Sequence, residues 1–167
     1  IPYLGLCYGM QLMVIEYARN VLKLKDANTR EINPDAKDLV IDIMDDQKDK
    51  LKNKNLGGSM RLGSYKAVLK KGTIAFGAYK KTNIEERHRH RYEVNNAYRE
   101  RLEKAGMVFS GISPTLGLCE IAELPKNKHP FFLGVQFHPE FKARPLDSHP
   151  LFNEFVKNCL KNNKKTK

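Results

Sequence analysis

Ile1-Pro2-Tyr3-Leu4-Gly5-Leu6-Cys7-Tyr8-Gly9-Met10-Gln11 is the stretch on which the reading of this chain turns. Residues 2–6 form a short apolar run with the make-up of a buried strand. Gly5 and Gly9 flank Cys7 in a Gly-x-Cys-x-Gly pattern, whose glycines permit the strained backbone of a tight strand-to-helix elbow. Beyond the elbow, Met10, Val14, Tyr17, Val21 and Leu24 recur at helical intervals, and Leu12, Ile15 and Leu22 widen the stripe, so a long and largely buried helix is expected. A cysteine there sits at the helix N-terminus, whose partial positive charge lowers a thiol pKa. Cys7 is therefore a candidate nucleophile. The same residue also reads as a small buried apolar side chain, as most free cysteines are.

Working outward, residues 28–34 read as a loop and residues 39–44 as a strand. Residues 45–55 read as a charged loop outside the core, and Gly57-Gly58 and Gly63 bracket a further turn. Residues 73–79 fit either a strand or a short helix. Residues 87–94 alternate basic and other side chains up to an Asn95-Asn96 cap, and residues 97–105 have helical spacing that Gly106 stops. Residues 107–112, 118–124 and 131–137 read as three strands, and residues 150–160 as a closing amphipathic helix. One long helix after the first of several apolar strands points to an α/β fold with a mainly parallel central sheet, joined by antiparallel strands towards its C-terminal half.

A chain of 167 residues is the size of one domain. Residues 1–160 are read as that domain and residues 161–167 as a Lys-rich tail. With 41% apolar residues, 11 Gly and 8 Pro, the composition excludes collagen-like, wholly disordered and disulfide-scaffold proteins. No run approaches the roughly 18 apolar residues that span a bilayer, and the first residues lack the basic region and cleavage site of a signal peptide. No membrane association is expected. Three widely spaced cysteines, Cys7, Cys119 and Cys159, suit reduced thiols and a cytoplasmic location. The net charge of +11 comes from lysine runs at residues 48–54, 66–71, 80–81 and 161–167, which carry no interleaved aromatic residues. Lys outnumbers Arg 21 to 9, which weakens bidentate phosphate or base readout. These runs are read as solvated surface, with no nucleic-acid partner.

A nucleophilic cysteine needs a base, and the base needs an orienting group. His138-Pro139-Glu140 offers both, because Pro139 biases His138 toward extended backbone and residues two apart in an extended segment face the same side. The pair ends the apolar run 131–137, at a strand C-terminus, where open α/β sheets hold their sites. Standing alone, the tripeptide would also suit a surface turn. Glu85-Glu86-Arg87-His88-Arg89-His90-Arg91 concentrates charge. Neighbouring arginines disfavour a metal on His88 and His90, and no metal site is expected. An anion or carboxylate site fits the arginines better, and a solvated charged strand remains open.

Gly5-Leu6-Cys7-Tyr8-Gly9-Met10-Gln11 and Phe137-His138-Pro139-Glu140-Phe141 together resemble the nucleophile elbow and His-Pro-Glu pair of triad-type (class I) glutamine amidotransferases, in matching order and separation. More narrowly, Gly57-Gly58-Ser59-Met60-Arg61-Leu62-Gly63, Glu86-Arg87-His88-Arg89-His90-Arg91-Tyr92-Glu93-Val94-Asn95 and His129-Pro130-Phe131-Phe132 resemble the amidotransferase domain of the CTP synthase family. Ser59 stands where that pattern has Thr, and Tyr8 where it has Leu. Other class I amidotransferases and γ-glutamyl hydrolases are the alternatives within this chemistry, and a non-catalytic basic binding module is the alternative outside it. The resemblance implies a flavodoxin-like amidotransferase fold in which Cys7 attacks the side-chain amide of L-glutamine, His138 shuttles protons and Glu140 orients His138. It implies glutamine recognition by Gln11, Glu31 and Arg91, with Arg91 on the α-carboxylate and Glu31 on the ammonium, and an oxyanion contact from the backbone N–H of Tyr8. It implies no cofactor in this domain. It further implies a synthetase domain that uses ATP and Mg to aminate UTP, activation by GTP, and a homo-tetramer. A second oxyanion donor in the family lies upstream of the nucleophile, so the sequence is expected to lack the N-terminal part of its domain, and to be poorly soluble and nearly inactive alone.

Overall fold

The computed structural model describes residues 1–43 and 60–163, so the expectations for residues 45–55, Gly57-Gly58, Ser59 and residues 164–167 fall outside the described residues. Strand β1 (Tyr3–Leu6) runs into helix α1 (Tyr8–Asn20) through Cys7, which adopts φ 49°, ψ −102°. A Cβ on Gly5 would lie 2.7 Å from the carbonyl carbon of Gly9, so strand and helix meet backbone to backbone and only glycine fits between them. The helix buries Met10, Gln11, Met13, Val14, Ile15, Tyr17 and Ala18. It stops at Asn20, short of the expected Leu24, and Lys23 beyond it takes the left-handed φ of 61° that a right-handed helix cannot continue through.

β2 (Ala27–Thr29) and β3 (Asp38–Ile43) pair in parallel, and β6 (Tyr92–Val94) joins β3 antiparallel to complete a three-stranded sheet. Residues 28 and 29, expected in a loop, thus lie in a strand because β3 supplies partners for their backbone groups. β4 (Arg61–Leu69) and β5 (Asn83–His90) form an antiparallel ribbon, and Gly63, expected at a turn, lies within β4 at φ 108°. Between them α2 (Ile74–Tyr79) settles the ambiguity of residues 73–79 in favour of helix, with the Thr73 hydroxyl accepting the Phe76 N–H at 3.2 Å as its N-cap. A 3₁₀ turn (Asn96–Tyr98) and α3 (Arg99–Lys104) lead through Gly106, at φ 105°, into β7 (Val108–Ile112), β8 (Cys119–Glu123) and β9 (Phe132–Val135). A 3₁₀ turn (Pro139–Phe141) and α4 (Pro150–Asn163) follow. Because α4 continues through Asn163, residues 161–163, assigned to the tail, are helical.

The six-stranded sheet has the order β1-β9-β8-β7-β4-β5. The expected predominance of parallel pairing does not hold among the described residues: β1–β9 is parallel, whereas β9–β8, β8–β7, β7–β4 and β4–β5 are antiparallel. For β7–β8 and β8–β9 the connections explain it, since residues 113–118 and 124–131 are too short for the crossover of a dozen or more residues that parallel neighbours need. One core lies under α1 and includes Met10, Val14, Tyr17, Ile41, Leu102 and Phe109. The other, which includes Leu69, Ile74, Phe131, Leu133, Phe137 and Leu151, packs α2 and α4 against the sheet. A Cβ on Gly134 of β9 would lie 2.9 Å from the Met10 side chain, so the missing side chain there lets α1 press directly onto the strand.

Candidate active site

The site forms where β1 and β9, parallel neighbours, both end. Leu6 is in register with Val135, and the Cys7 N–H donates to the Val135 carbonyl at 2.7 Å. Cys7 leaves one strand end and His138 leaves the other three residues on, so the parallel pairing itself brings elbow and base to one rim of the sheet. The His138 N–H donates to the Arg87 carbonyl at 2.8 Å, which ties the base to β5 as well. His138 Nδ1 lies 2.6 Å from Glu140 Oε1. A carboxylate oxygen accepts, so Nδ1 is the donor in this bond. The Nε2 of His138 is buried and, among the described residues, without a hydrogen-bond partner. The expected pairing of His138 with Glu140 is therefore present.

Burial pushes the Cys7 thiol above its ordinary pKa, the N–H of Tyr8 and the side chain of Gln136 pull it back, and the negative charges of Glu140 and Glu93 raise it. The helix end does not lower this thiol in the free site as the sequence suggested, because desolvation at a half-buried sulfur outweighs the donors aimed at it. A positive charge on His138 would favour the thiolate. The backbone N–H of Tyr8 lies close enough to the sulfur to favour its charged form.

A cavity of about 500 Å³ opens beside Cys7, lined by Tyr8, Gln11, Glu31, Arg91 and others, so the glutamine-binding candidates converge on one space with the nucleophile. Glu31 is carried on the turn after β2, where the side chain of Arg30 forks onto Asp42 of β3, with Nη2 at 3.1 Å from Oδ2. Arg91 occupies the break between β5 and β6. Gln11 is less free than the sequence implied: its Nε2 donates to the Tyr92 carbonyl at 3.0 Å, leaving Oε1 buried without a partner.

Behind the cavity lies a buried ionic cluster that sequence reading did not find. Arg61 of β4 donates to Glu93 at 2.9 Å and to Glu120 at 2.8 Å, all three side chains being almost fully enclosed. His88 Nδ1 lies 2.8 Å from His90 Nε2, and His90 Nδ1 lies 3.2 Å from the Tyr92 carbonyl. Because a carbonyl only accepts, His90 donates from Nδ1 and accepts from His88 at Nε2, which fixes both tautomers. Burial and the nearby Arg61 charge push His88 to about 2 and His90 to about 3, so both are neutral. The alternation of Glu86, His88 and His90 with exposed Arg87 and Arg89 was the available signal, since it put the histidines on the inner face of β5. Among the described residues no group of three His, Cys, Asp or Glu side chains is placed to hold a metal ion. Among them, too, no helix is long and apolar enough to cross a membrane.

The pattern of glutamine amidotransferase class-I matches residues 1–158. The chain belongs to the class I glutamine amidotransferase family. Its relatives within that family include a CTP synthase of Rubrobacter xylanophilus, 60% identical over 159 residues, which are 95% of this chain and 28% of that protein. A CTP synthase of Sulfolobus acidocaldarius is 55% identical over 156 residues, 93% of this chain and again 28% of the relative. The chain thus spans under a third of the length of these curated relatives. Among solved structures, the glutaminase domain of Trypanosoma brucei CTPS with bound acivicin superposes with a TM-score of 0.87 at 41% identity, covering 96% of this chain and 61% of that one. The α/β amidotransferase fold is shown by this match together with the family pattern.

Proposed function

We propose that this amidotransferase domain hydrolyses L-glutamine and serves as the ammonia-producing part of a CTP synthase. The observation that carries the reading is the strained Cys7 elbow seated on the β1–β9 strand ends beside a His138–Glu140 pair whose Nε2 is unpartnered. In the reaction, His138 Nε2 takes the thiol proton and the Cys7 sulfur attacks the side-chain carbonyl carbon of glutamine, the oxyanion lying against the Tyr8 N–H. The C–N bond breaks as His138 returns the proton to the departing nitrogen, which leaves as ammonia. Water then gives a proton to His138 and its oxygen to the thioester carbon; the C–S bond breaks as His138 returns the proton to the Cys7 sulfur, and glutamate leaves. Arg91 meets the α-carboxylate and Glu31 the α-ammonium, opposite charges at two points of one cavity. This chemistry asks for no cofactor within the domain.

The narrower assignment rests on the relatives of 60% and 55% identity that are CTP synthases, and on the glutaminase domain that superposes. In that setting the ammonia passes to a synthetase domain of the same polypeptide, which uses ATP and Mg to aminate UTP; GTP activates the glutaminase step, and the full-length protein is a cytoplasmic homo-tetramer.

The test uses the full-length protein that carries this chain. A diazo-ketone analogue of glutamine should label Cys7, as mapped by mass spectrometry, whereas labelling at Cys119 or Cys159 would overturn the assignment. Cys7→Ala should abolish CTP formation from glutamine and leave formation from added ammonia largely intact, because the two half-reactions use different sites.

A further inference from the structure

Gln136 lies between the residue that anchors the Cys7 backbone and the residue that serves as base, and the mechanism above gives it no task. It is fully buried, its N–H is fixed to the Glu120 carbonyl at 2.9 Å, and its side-chain Nε2 lies 3.7 Å from Cys7 Sγ. Which end of a carboxamide faces a neighbour is set by the hydrogen bonds around it, and here those bonds have one consistent direction. The Tyr92 carbonyl can only accept, so Gln11 must turn its Nε2 toward it, at 3.0 Å. The second hydrogen on that nitrogen reaches Gln136 Oε1 at 3.4 Å. Gln136 must then present Nε2 to the sulfur. The polarity runs from sulfur to backbone carbonyl through two side chains that do not titrate in the working range.

We propose that Gln136 is a positioning residue for the nucleophile: its amide, oriented through Gln11 by the Tyr92 carbonyl, donates to the Cys7 sulfur and holds that sulfur at the reacting face. The proposal rests on the reading of Cys7 as the glutaminase nucleophile. Residues 135 and 136 then grip Cys7 at two levels, the Val135 carbonyl holding its N–H and Gln136 its sulfur. An amide donor directly after the apolar strand β9 constrains the sulfur without a second base competing for the thiol proton. The same relay makes Gln11 a link between cavity and sulfur, because Gln11 lines the cavity while its nitrogen aligns Gln136.

The full-length protein is again the material. Gln136→Met keeps the volume and removes the donor. The pH profile of Cys7 alkylation by iodoacetamide should move to higher pH, with the rate at pH 7 reduced several-fold. Glutaminase kcat should fall about tenfold, the size expected for losing a hydrogen bond to a charged group, with KM for glutamine within about twofold. Gln11→Met should move the alkylation profile in the same direction by less, although Gln11 does not touch the sulfur, and a role confined to substrate binding would leave that profile in place. Gln136→Glu is a second variant, in which an acceptor-only carboxylate should raise the profile further than Gln136→Met does. Alkylation profiles that superimpose on the unmodified protein would overturn the proposal, as would failure of both Gln136 variants to fold, which would mark the residue as structural. If instead the unmodified protein fails to hydrolyse glutamine, the reading of the site falls, and the alkylation profiles still report on the Gln136–Cys7 bond.

Discussion

At the scale of single residues, the site separates groups that act by position from groups that act by charge. The proposed role of Arg91 is of the second kind. Arg91 lines the same cavity as Glu31, and a substrate α-carboxylate bound to it would meet a planar fork of donors. Arg91→Ala should raise KM for glutamine at least tenfold, since losing one partner of a close, partly desolvated charge pair costs about 2 kcal/mol or more. Arg91→Lys should recover only part of that loss, because a point charge cannot form both hydrogen bonds. Steady-state kinetics on the full-length protein check both, and an unchanged KM in Arg91→Ala would remove Arg91 from the binding site. Cys7, Tyr8, His138, Glu140, Gln11, Glu31 and Arg91 could all be named from sequence because each sits in, or is aligned by, a short motif or its resemblance. Arg61, Glu120 and Gln136 could not. Their partners lie far along the chain, Arg61 bonding a residue 59 positions on and Gln136 one 129 positions back, and no local pattern encodes such a contact.

Among elements, the elbow between β1 and α1 is the part that tolerates least. An added methyl on Gly5 would meet the Gly9 carbonyl carbon at 2.7 Å and the Met10 nitrogen at 2.9 Å, which are backbone atoms that cannot swing aside. Gly5→Ala should cost about 1–3 kcal/mol, typical of overpacking, and lower the thermal transition of the domain by several degrees. It should also reduce Cys7 alkylation, because the helix can make room only by carrying the cysteine with it. A variant with unchanged melting and alkylation would show that the contact relaxes freely. This elbow was legible in sequence because glycine spacing and helical periodicity are local signals. Strand pairing was legible only in part, as the antiparallel strands expected towards the C-terminal half. The run 107–137 was read correctly as three strands, yet their antiparallel order depends on the shortness of two turns and on β4 and β5 joining beyond β7. The end of α1 was misplaced for a related reason: apolar spacing persists to Leu24, but the backbone turns left-handed at Lys23.

Across the whole molecule, the cluster behind the cavity sets how stability should respond to pH. Arg61 of β4 supplies one positive charge, Glu93 of β6 and Glu120 of β8 face it, and His88 and His90 of β5 pack alongside. A buried group of this composition is neutral with one carboxylate ionised, so the second carboxyl is pressed to keep its proton. Burial accordingly raises Glu93 to about 8, with Arg61 opposing and Glu120 adding to the rise, and Glu120 is also raised by burial. The two histidines are held neutral, at about 2 and about 3. Between those values and about 6.5 the unfolded chain binds two protons that the folded chain does not, so stability climbs as pH rises to about 6.5. Glu93 works in the opposite sense. Between about 4.5 and about 8 the folded chain holds a proton that the unfolded chain has lost, so this group removes about 1.4 kcal/mol per pH unit as pH rises. The histidines outweigh it below about 6.5 and fall silent above, which places the stability maximum near pH 6.5, with Glu120 and Glu123 flattening the acid limb just above pH 4.5. Thermal unfolding of the domain within the full-length protein, followed from pH 5.5 to 8.5, should show that maximum. Glu93→Gln keeps a neutral acceptor for Arg61 and should abolish the fall between about pH 6.5 and 8 while steepening the acid limb above about pH 4.5, where Glu93 no longer opposes the histidines. An alkaline fall that persists unchanged in Glu93→Gln would assign it to a group outside the cluster.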